Sequence, residues 1–259
     1  MNVLITAGGR PLPNEPLYAE TQGRYKAMLE IAGKPMIQWV LDAVSASSSV
    51  ERIVVVGLPA TTDVGNCPKL AALIDDQGDM VSNVMAAGNE VLRLAPDAQQ
   101  AVLMSSDIPA ISTEALDWLL QQMSGSEDDI FYTVVERSVM ERRFPGSNRT
   151  YAHLKGLEVC GGDVFGFRLD LVRHPRPIWQ KMVDTRKNPL RQAALFGFDT
   201  MFLLMLRQLS LEEAEKMVGQ RLGLRGRALL TPYAEMAMDV DKPHQLAILR
   251  EQLSVARGA

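Results

Sequence analysis

Cysteine is scarce in this chain of 259 residues: Cys67 and Cys160 stand far apart. That spacing excludes a disulfide framework and a Cys-x-x-Cys metal or redox pair. The three histidines, His153, His174 and His244, are just as scattered and match no zinc-ligand spacing. Any metal is therefore expected on carboxylates. No apolar run approaches the roughly 20 residues of a membrane span. The richest stretch, FDTMFLLMLRQL, is broken by Arg207 and Gln208 and reads as a buried helix. The N-terminus does not join a basic segment to a long apolar core, so a cytoplasmic location is expected. A net charge of -4 gives no reason to expect nucleic acid or a membrane surface as partner.

What is present is a 47% hydrophobic chain, enough for one large α/β domain or two small ones. Its first half alternates short apolar runs with helical patterns. NVLITA, RIVVVGL and QAVLMSSDIP read as buried strands, the last closed by a proline that cannot continue it. KPMIQWVLDAVSAS places Ile37, Val40, Leu41 and Val44 on one helical face. SNVMAAGNEVLRLA reads as a helix capped by Ser82, and STEALDWLLQQM opens with a capping signature. Such alternation predicts a three-layer α/β/α domain on a mixed, mostly parallel sheet.

The second half is less regular. DIFYTVVER reads as a strand, RRFPGSNRTYAHLKG as a basic loop, and EVCGGDVFGFRLDLV as extended. A mainly helical pattern then runs from Pro175 to about Leu222. A brief strand at Ala237-Met238, an acidic turn and a closing helix finish the chain. No repeat or linker divides it, so one domain over 1–259 is expected. Within it, the expected parts are 1–125, the strands and loop of 126–174, a helical insertion over 175–230, and the acidic closing segment 231–259.

Ligands on sheets of this kind bind beyond the carboxyl ends of the strands. Three features lie at such ends. The first strand stops at Thr6-Ala7-Gly8-Gly9, where a glycine turn presents backbone N–H groups to phosphate. Arg10, Arg24, Lys26 and Lys34 crowd the same exit and favour an anion there. Asp107 follows the third strand directly; alone, it is equally a turn aspartate leading to Ser112. In MDVDKPHQL, Asp239 and Asp241 alternate, which on a strand puts both carboxylates on one side. Asp241 also has the position of a helix cap.

Taken together, these stretches resemble the nucleotidyltransferases of glycosyltransferase-A-type fold, a group that includes the MobA-like guanylyltransferases and the sugar-nucleotide pyrophosphorylases. VLITAGG…KAMLEIAGKPMIQWVLDAV is similar to their opening, GDMVSNVMAAGNEVL to their base-contacting segment, and VLMSSDIPAIS and MDVDKPHQL to their acidic motifs. The motifs follow family order across nearly the whole chain. The resemblance implies that Ala7, Gly8, Gly9 and Arg10 lie against the nucleotide, with Lys26 on its phosphates and Ser82 near base or ribose. It implies Mg²⁺ or Mn²⁺ on Asp107, with Asp241 or Asp239 as a second contributor. Arg143, Arg149, Lys155 and Gly162 would line the acceptor pocket.

One departure stands out. Members usually keep a short first loop, whereas here Pro11, Pro13 and Pro16 separate Arg10 from Arg24, so either arginine is a candidate for the phosphate role. The loop is too proline-broken for a helix; it is expected to close over a bound triphosphate, the alternative being a static surface loop held by Leu12, Leu17 and Tyr18.

The expected activity is transfer of an NMP group from an NTP to a phosphate- or hydroxyl-bearing small molecule, releasing pyrophosphate, by a monomer or homodimer. A glycosyltransferase using a sugar nucleotide is one alternative, although SSD replaces the Asp-x-Asp pair usual there. A non-catalytic nucleotide-binding domain is the other.

Overall fold

The computed structural model describes residues 1–175 and 209–258, with side chains to 255. The helix expected over FDTMFLLMLRQL, and most of the expected insertion, lie outside the described residues. The first strand, β1 (Asn2–Thr6), lies at the centre of the main sheet, flanked by β4 (Arg52–Val56) and β6 (Gln100–Ser105), both parallel to it. Beyond β4 comes β5 (Leu70–Ile74), a half-exposed edge strand whose LAALI lacks the β-branched run of its neighbours.

Beyond β6 lies β9 (Leu157–Arg168), antiparallel to it, then β7 (Ile130–Glu136) and, at the far edge, β10 (Gly226–Thr231). The short β8 (Ala152–Leu154) pairs only with β9, giving eight strands. A separate hairpin, β2 (Glu30–Ile31) with β3 (Lys34–Pro35), turns at Ala32 and Gly33. Both turn residues have positive φ, 49° and 84°, the requirement of a tight two-residue turn.

Period-two alternation along the central strands divides the core in two. Val3, Ile5, Ile53, Val55, Val102 and Met104 face α2 (Met36–Ala46) and α4 (Thr113–Met123). Leu4, Val54, Val56 and Ala101 face the opposite way, toward Ala87 and Val91 of α3 (Met80–Leu94). A strand covered on both faces must be apolar throughout, and β1 is: Val3, Leu4 and Ile5 are fully buried. Each such side chain contributes about 1.5–3 kcal/mol by leaving water.

Ser112 caps α4, accepting from Ala115 N at 3.2 Å, whereas α3 begins differently from expectation. Its cap is Asp79, whose Oδ1 accepts from Ser82 N at 3.0 Å, so Ser82 lies inside the first turn. A carboxylate is the stronger acceptor for N–H groups at a positive helix end.

The basic loop is also partly helical. α5 (Arg137–Arg143) includes Arg142 and Arg143, and the turn follows it. The first loop contains a helical turn, α1 (Tyr18–Thr21), because its prolines all precede Leu17. α6 (Asp170–Arg173) follows β9, and α7 (Leu211–Leu222) packs beside β10 with a Ser210–Glu213 capping box.

The strand expected at Ala237-Met238 is absent: Ala234–Ala237 form a 3₁₀ turn, and residues 238–241 are irregular. The reason is topological. β7 already pairs β9 on one edge and β10 on the other, so β7 offers the segment no edge. It lies across the sheet instead, with Met236, Ala237, Met238 and Val240 buried, before α8 (Pro243–Gly258) closes the chain.

Candidate active site

The glycine loop is shaped by close backbone approach. Ala7 N donates to Val56 O at 2.8 Å, drawing Gly8 against Gly57 at the end of β4. Gly57 has φ 106°, and a Cβ there would meet Gly8 N at 2.4 Å. Only glycine fits. A Cβ on Gly8 would stand 3.4 Å from Asp76 Oδ1, so the loop before α3 meets the glycine loop here. Asp76 Oδ1 accepts from Asn83 Nδ2 at 2.8 Å and Gly78 N at 3.1 Å. Asp76 and Asn83 escaped the sequence reading; the acidic DDQGD stretch ahead of the helix was the available signal. Ser82, the residue the resemblance puts near the base, donates through Oγ to Asp79 Oδ2 at 2.7 Å.

Across the loop, Lys26 N donates to Gly9 O at 2.8 Å, which fixes the start of a 3₁₀ turn, Lys26–Met28. The Lys26 ammonium lies 2.5 Å from Asp107 Oδ2 and 2.8 Å from Asp241 Oδ1. Burial alone would lower its pKa, but Asp107 and Asp241 outweigh that, and Lys26 is raised above the usual lysine value. Asp107 Oδ1 is buried and has no hydrogen-bond partner among the described residues. The Asp107 carbonyl accepts from Val240 N at 2.9 Å, which lays the 239–241 segment against the end of β6. Asp239 and Asp241 therefore reach this region from irregular backbone rather than from a strand.

The two carboxylates of that segment part company. Asp241 turns to Lys26, and Asp239 pairs with Arg149. Arg149 NH2 also lies 3.7 Å from Asp163 and donates to Gly161 O at 3.3 Å. Asp163 was not anticipated, although it follows the predicted Gly162. Burial pushes its pKa up to about 7, the nearby charge of Asp107 adds to this, and Arg149 opposes it. Gly162 is there for packing: a Cβ would fall 2.2 Å from Thr133 Oγ1 and 3.1 Å from Met236 O.

Arg143 and Lys155 lie elsewhere. Arg143 donates to Gln252 of α8 and stacks on Phe144. Lys155 is exposed at the tip of the β8–β9 hairpin, its N–H on Leu209 O.

A cavity of about 500 Å³ adjoins the lysine, walled by Gly9, Arg10, Leu17, Lys26, Asp241 and Lys242. Arg10 is part of that wall and stacks 3.8 Å from the Tyr25 ring centre. Arg24 is exposed, and its Nε donates back to Thr21 O at 3.2 Å.

A glycine loop, a half-buried lysine and an acidic pair at the carboxyl ends of central parallel strands define a nucleotidyltransferase of mixed-sheet α/β/α architecture. The chain belongs to the MobA-like NTP transferase domain family, whose profile matches residues 3–230. A 3-deoxy-manno-octulosonate cytidylyltransferase of Geotalea uraniireducens is 26% identical to it, over 91% of this chain and 95% of that protein. A hypothetical transferase from Thermus thermophilus superposes with a TM-score of 0.80 at 32% identity, covering 95% of this chain and 98% of its own. A CMP:2-keto-3-deoxy-manno-octonic acid synthetase, solved with CTP, shares the fold (TM-score 0.57, 15% identity, 99% and 98% covered). Among the described residues no helix is long and apolar enough to cross a membrane.

Proposed function

We propose that the protein transfers a cytidylyl group from CTP to a phosphate- or hydroxyl-bearing, sugar-like small molecule, with release of pyrophosphate. The observation that carries this reading is Lys26, held between Asp107 and Asp241 beside the glycine loop and the adjoining cavity. The choice of CTP rests on the cytidylyltransferase names of the relatives.

In-line attack at the α-phosphorus needs positioning and charge neutralisation rather than a protein nucleophile. Gly8 and Gly9 let the triphosphate approach the backbone. Lys26 and Arg10, both in the cavity wall, neutralise the departing pyrophosphate, and we assign the phosphate role to Arg10 over Arg24 on that placement. Asp76 and Asn83, tied to each other beside Gly8, support the base side. On the acceptor side we keep Arg149, held by Asp239 and Asp163, and drop Arg143 and Lys155.

The residues present fit a divalent cation: Asp107 has an unpartnered buried oxygen, and Asp241 supplies a second carboxylate beside it. Mg²⁺ is usually held by one or two carboxylates plus substrate phosphates, and would supply charge stabilisation at the transferred phosphoryl group. Asp107 and Asp241 would hold it, with Asp239 engaged by Arg149.

A pyrophosphate-release screen tests the reading: four NTPs against phosphosugars, phospho-alcohols and sugar acids bearing free hydroxyls, with Mg²⁺ present. CTP with one acceptor class should give turnover. Pyrophosphate from another NTP alone would overturn the base assignment, and tight NTP binding with no pyrophosphate from any pair would reduce the protein to a binding domain.

A further inference from the structure

The lysine assigned to phosphate is itself engaged by carboxylates. Its ammonium lies between the two carboxylates assigned to the divalent cation, 2.5 Å from one and 2.8 Å from the other. We propose that Lys26 is a built-in counter-cation that occupies the divalent-cation position until a nucleoside triphosphate draws it away, so that metal and nucleotide enter together. The proposal rests on the metal-dependent nucleotidyltransferase reading above, and goes beyond it in giving Lys26 two alternating partners.

Three observations support it. First, an ammonium bridging Asp107 Oδ2 and Asp241 Oδ1 takes up one oxygen from each carboxylate. A divalent cation using the same pair would face a like charge a few ångströms away, on a side with Asp107 and Lys26 largely shielded from solvent although Asp241 is exposed. Second, the charge arithmetic is unfavourable for free metal. The two carboxylates carry two negative charges and Lys26 cancels one, leaving a single net charge to attract a dication. Third, the lysine has somewhere to go. Its backbone is fixed by the bond to Gly9 O, and its side chain borders the cavity that also holds Arg10 and Lys242. Rotation about a flexible four-carbon stem moves the ammonium from carboxylates to phosphate without backbone change.

Manganese binding provides the test, independent of turnover. The electron paramagnetic resonance signal of free Mn²⁺ would be titrated with the unmodified protein, with Lys26→Met, and with Lys26→Met/Asp107→Asn. Each titration would be run with and without α,β-methylene-CTP, correcting for ion bound to the analogue alone. Without nucleotide, the unmodified protein should bind Mn²⁺ weakly and Lys26→Met should bind it roughly tenfold tighter or more, within the usual 5–150-fold range of coupling between ligands. The double variant should lose that gain. The analogue should tighten Mn²⁺ binding to the unmodified protein and help Lys26→Met much less.

Equal Mn²⁺ affinity of unmodified and Lys26→Met protein without nucleotide would overturn the counter-cation role. If the analogue still promotes Mn²⁺ binding in that case, the metal-dependent reading survives it. No Mn²⁺ binding by any form, with or without analogue, would overturn both. Should Lys26→Met fail to fold by circular dichroism, Lys26→Gln, polar and uncharged, gives the same comparison.

Discussion

Lys26 and Asp107 meet at 2.5 Å although one opens a 3₁₀ turn after the first loop and the other lies in the turn just beyond β6. Their contact joins the glycine loop to the acidic end of the sheet. It depends on two backbone bonds, Lys26 N to Gly9 O and Ser106 N to Thr6 O, that bring both segments to the mouth of β1.

Asp107→Asn isolates the charge in that contact. The amide has the carboxylate's size and still accepts from Lys26, but it is a poor ligand for a hard cation. Turnover should fall by roughly 10²–10³ or more, the scale seen when one electrostatic group is removed from a reacting centre. The melting temperature should move by only a few degrees. Steady-state pyrophosphate release and a thermal melt on the same sample check both halves; an active Asn variant would remove Asp107 from the mechanism.

Gly57→Ala should damage the nucleotide loop from outside it. At φ 106° a side chain is strained, and its Cβ would press on Gly8 N. A residue that cannot adopt the native backbone angle costs more than about 1 kcal/mol. Urea unfolding should register that loss, and the KM for NTP should rise as Gly8 shifts. A stable variant with unchanged KM would show that the loop tolerates the displacement.

Asp163 gives the protein a pH signature. Its folded pKa, about 7, lies above the ordinary carboxylate value, so between these limits the native state holds a proton that the unfolded state has released. The associated stability is complete below about pH 4 and is lost as pH rises through about 7. Asp163→Asn should flatten that decline and melt higher than the parent above pH 7. Parallel pH–melting curves for the two proteins would contradict the shift.

The first loop should respond to nucleotide in two parts. Leu17 and Thr21 are already buried, and the helical turn Tyr18–Thr21 is closed by Gln22 N on Tyr18 O. Leu12 is 59% exposed, and Arg10 rests on Tyr25 at the cavity wall. Amide exchange with Mg²⁺ and a CTP analogue should therefore slow at residues 10–16 and change little at 17–22. Uniform protection across the loop would mean that the whole segment moves, and no change anywhere would mean a static loop.

Much of this architecture was legible in the sequence because it depends on local periodicity. β-branched runs of strand length gave β1 and β4, and i, i+3, i+4 spacing gave the buried face of α2. Asp107 was visible for the same reason, as an acid placed directly after an apolar run. β5 was missed because an edge strand is half exposed and needs no apolar run. The strand expected at Ala237-Met238 failed because a buried run looks the same whether it pairs in a sheet or lies across one, and only the filled edges of β7 decide between them.

The candidate site divides along the same line. Composition and motif order in the chain determined which residue types were available: a glycine loop, a lysine beyond it, and acids after β6 and before α8. Tertiary structure alone decided the pairings. Asp241 meets Lys26 while Asp239 meets Arg149, because the Val240 N–H bonds to the Asp107 carbonyl and turns the flanking carboxylates toward different partners. Asp163 joins them only because β9 runs antiparallel between β6 and β7, which returns a later part of the chain to the same end of the sheet. Residue type is a property of the chain, whereas charge pairing depends on distances between segments remote in sequence, and those distances exist only once the sheet has assembled.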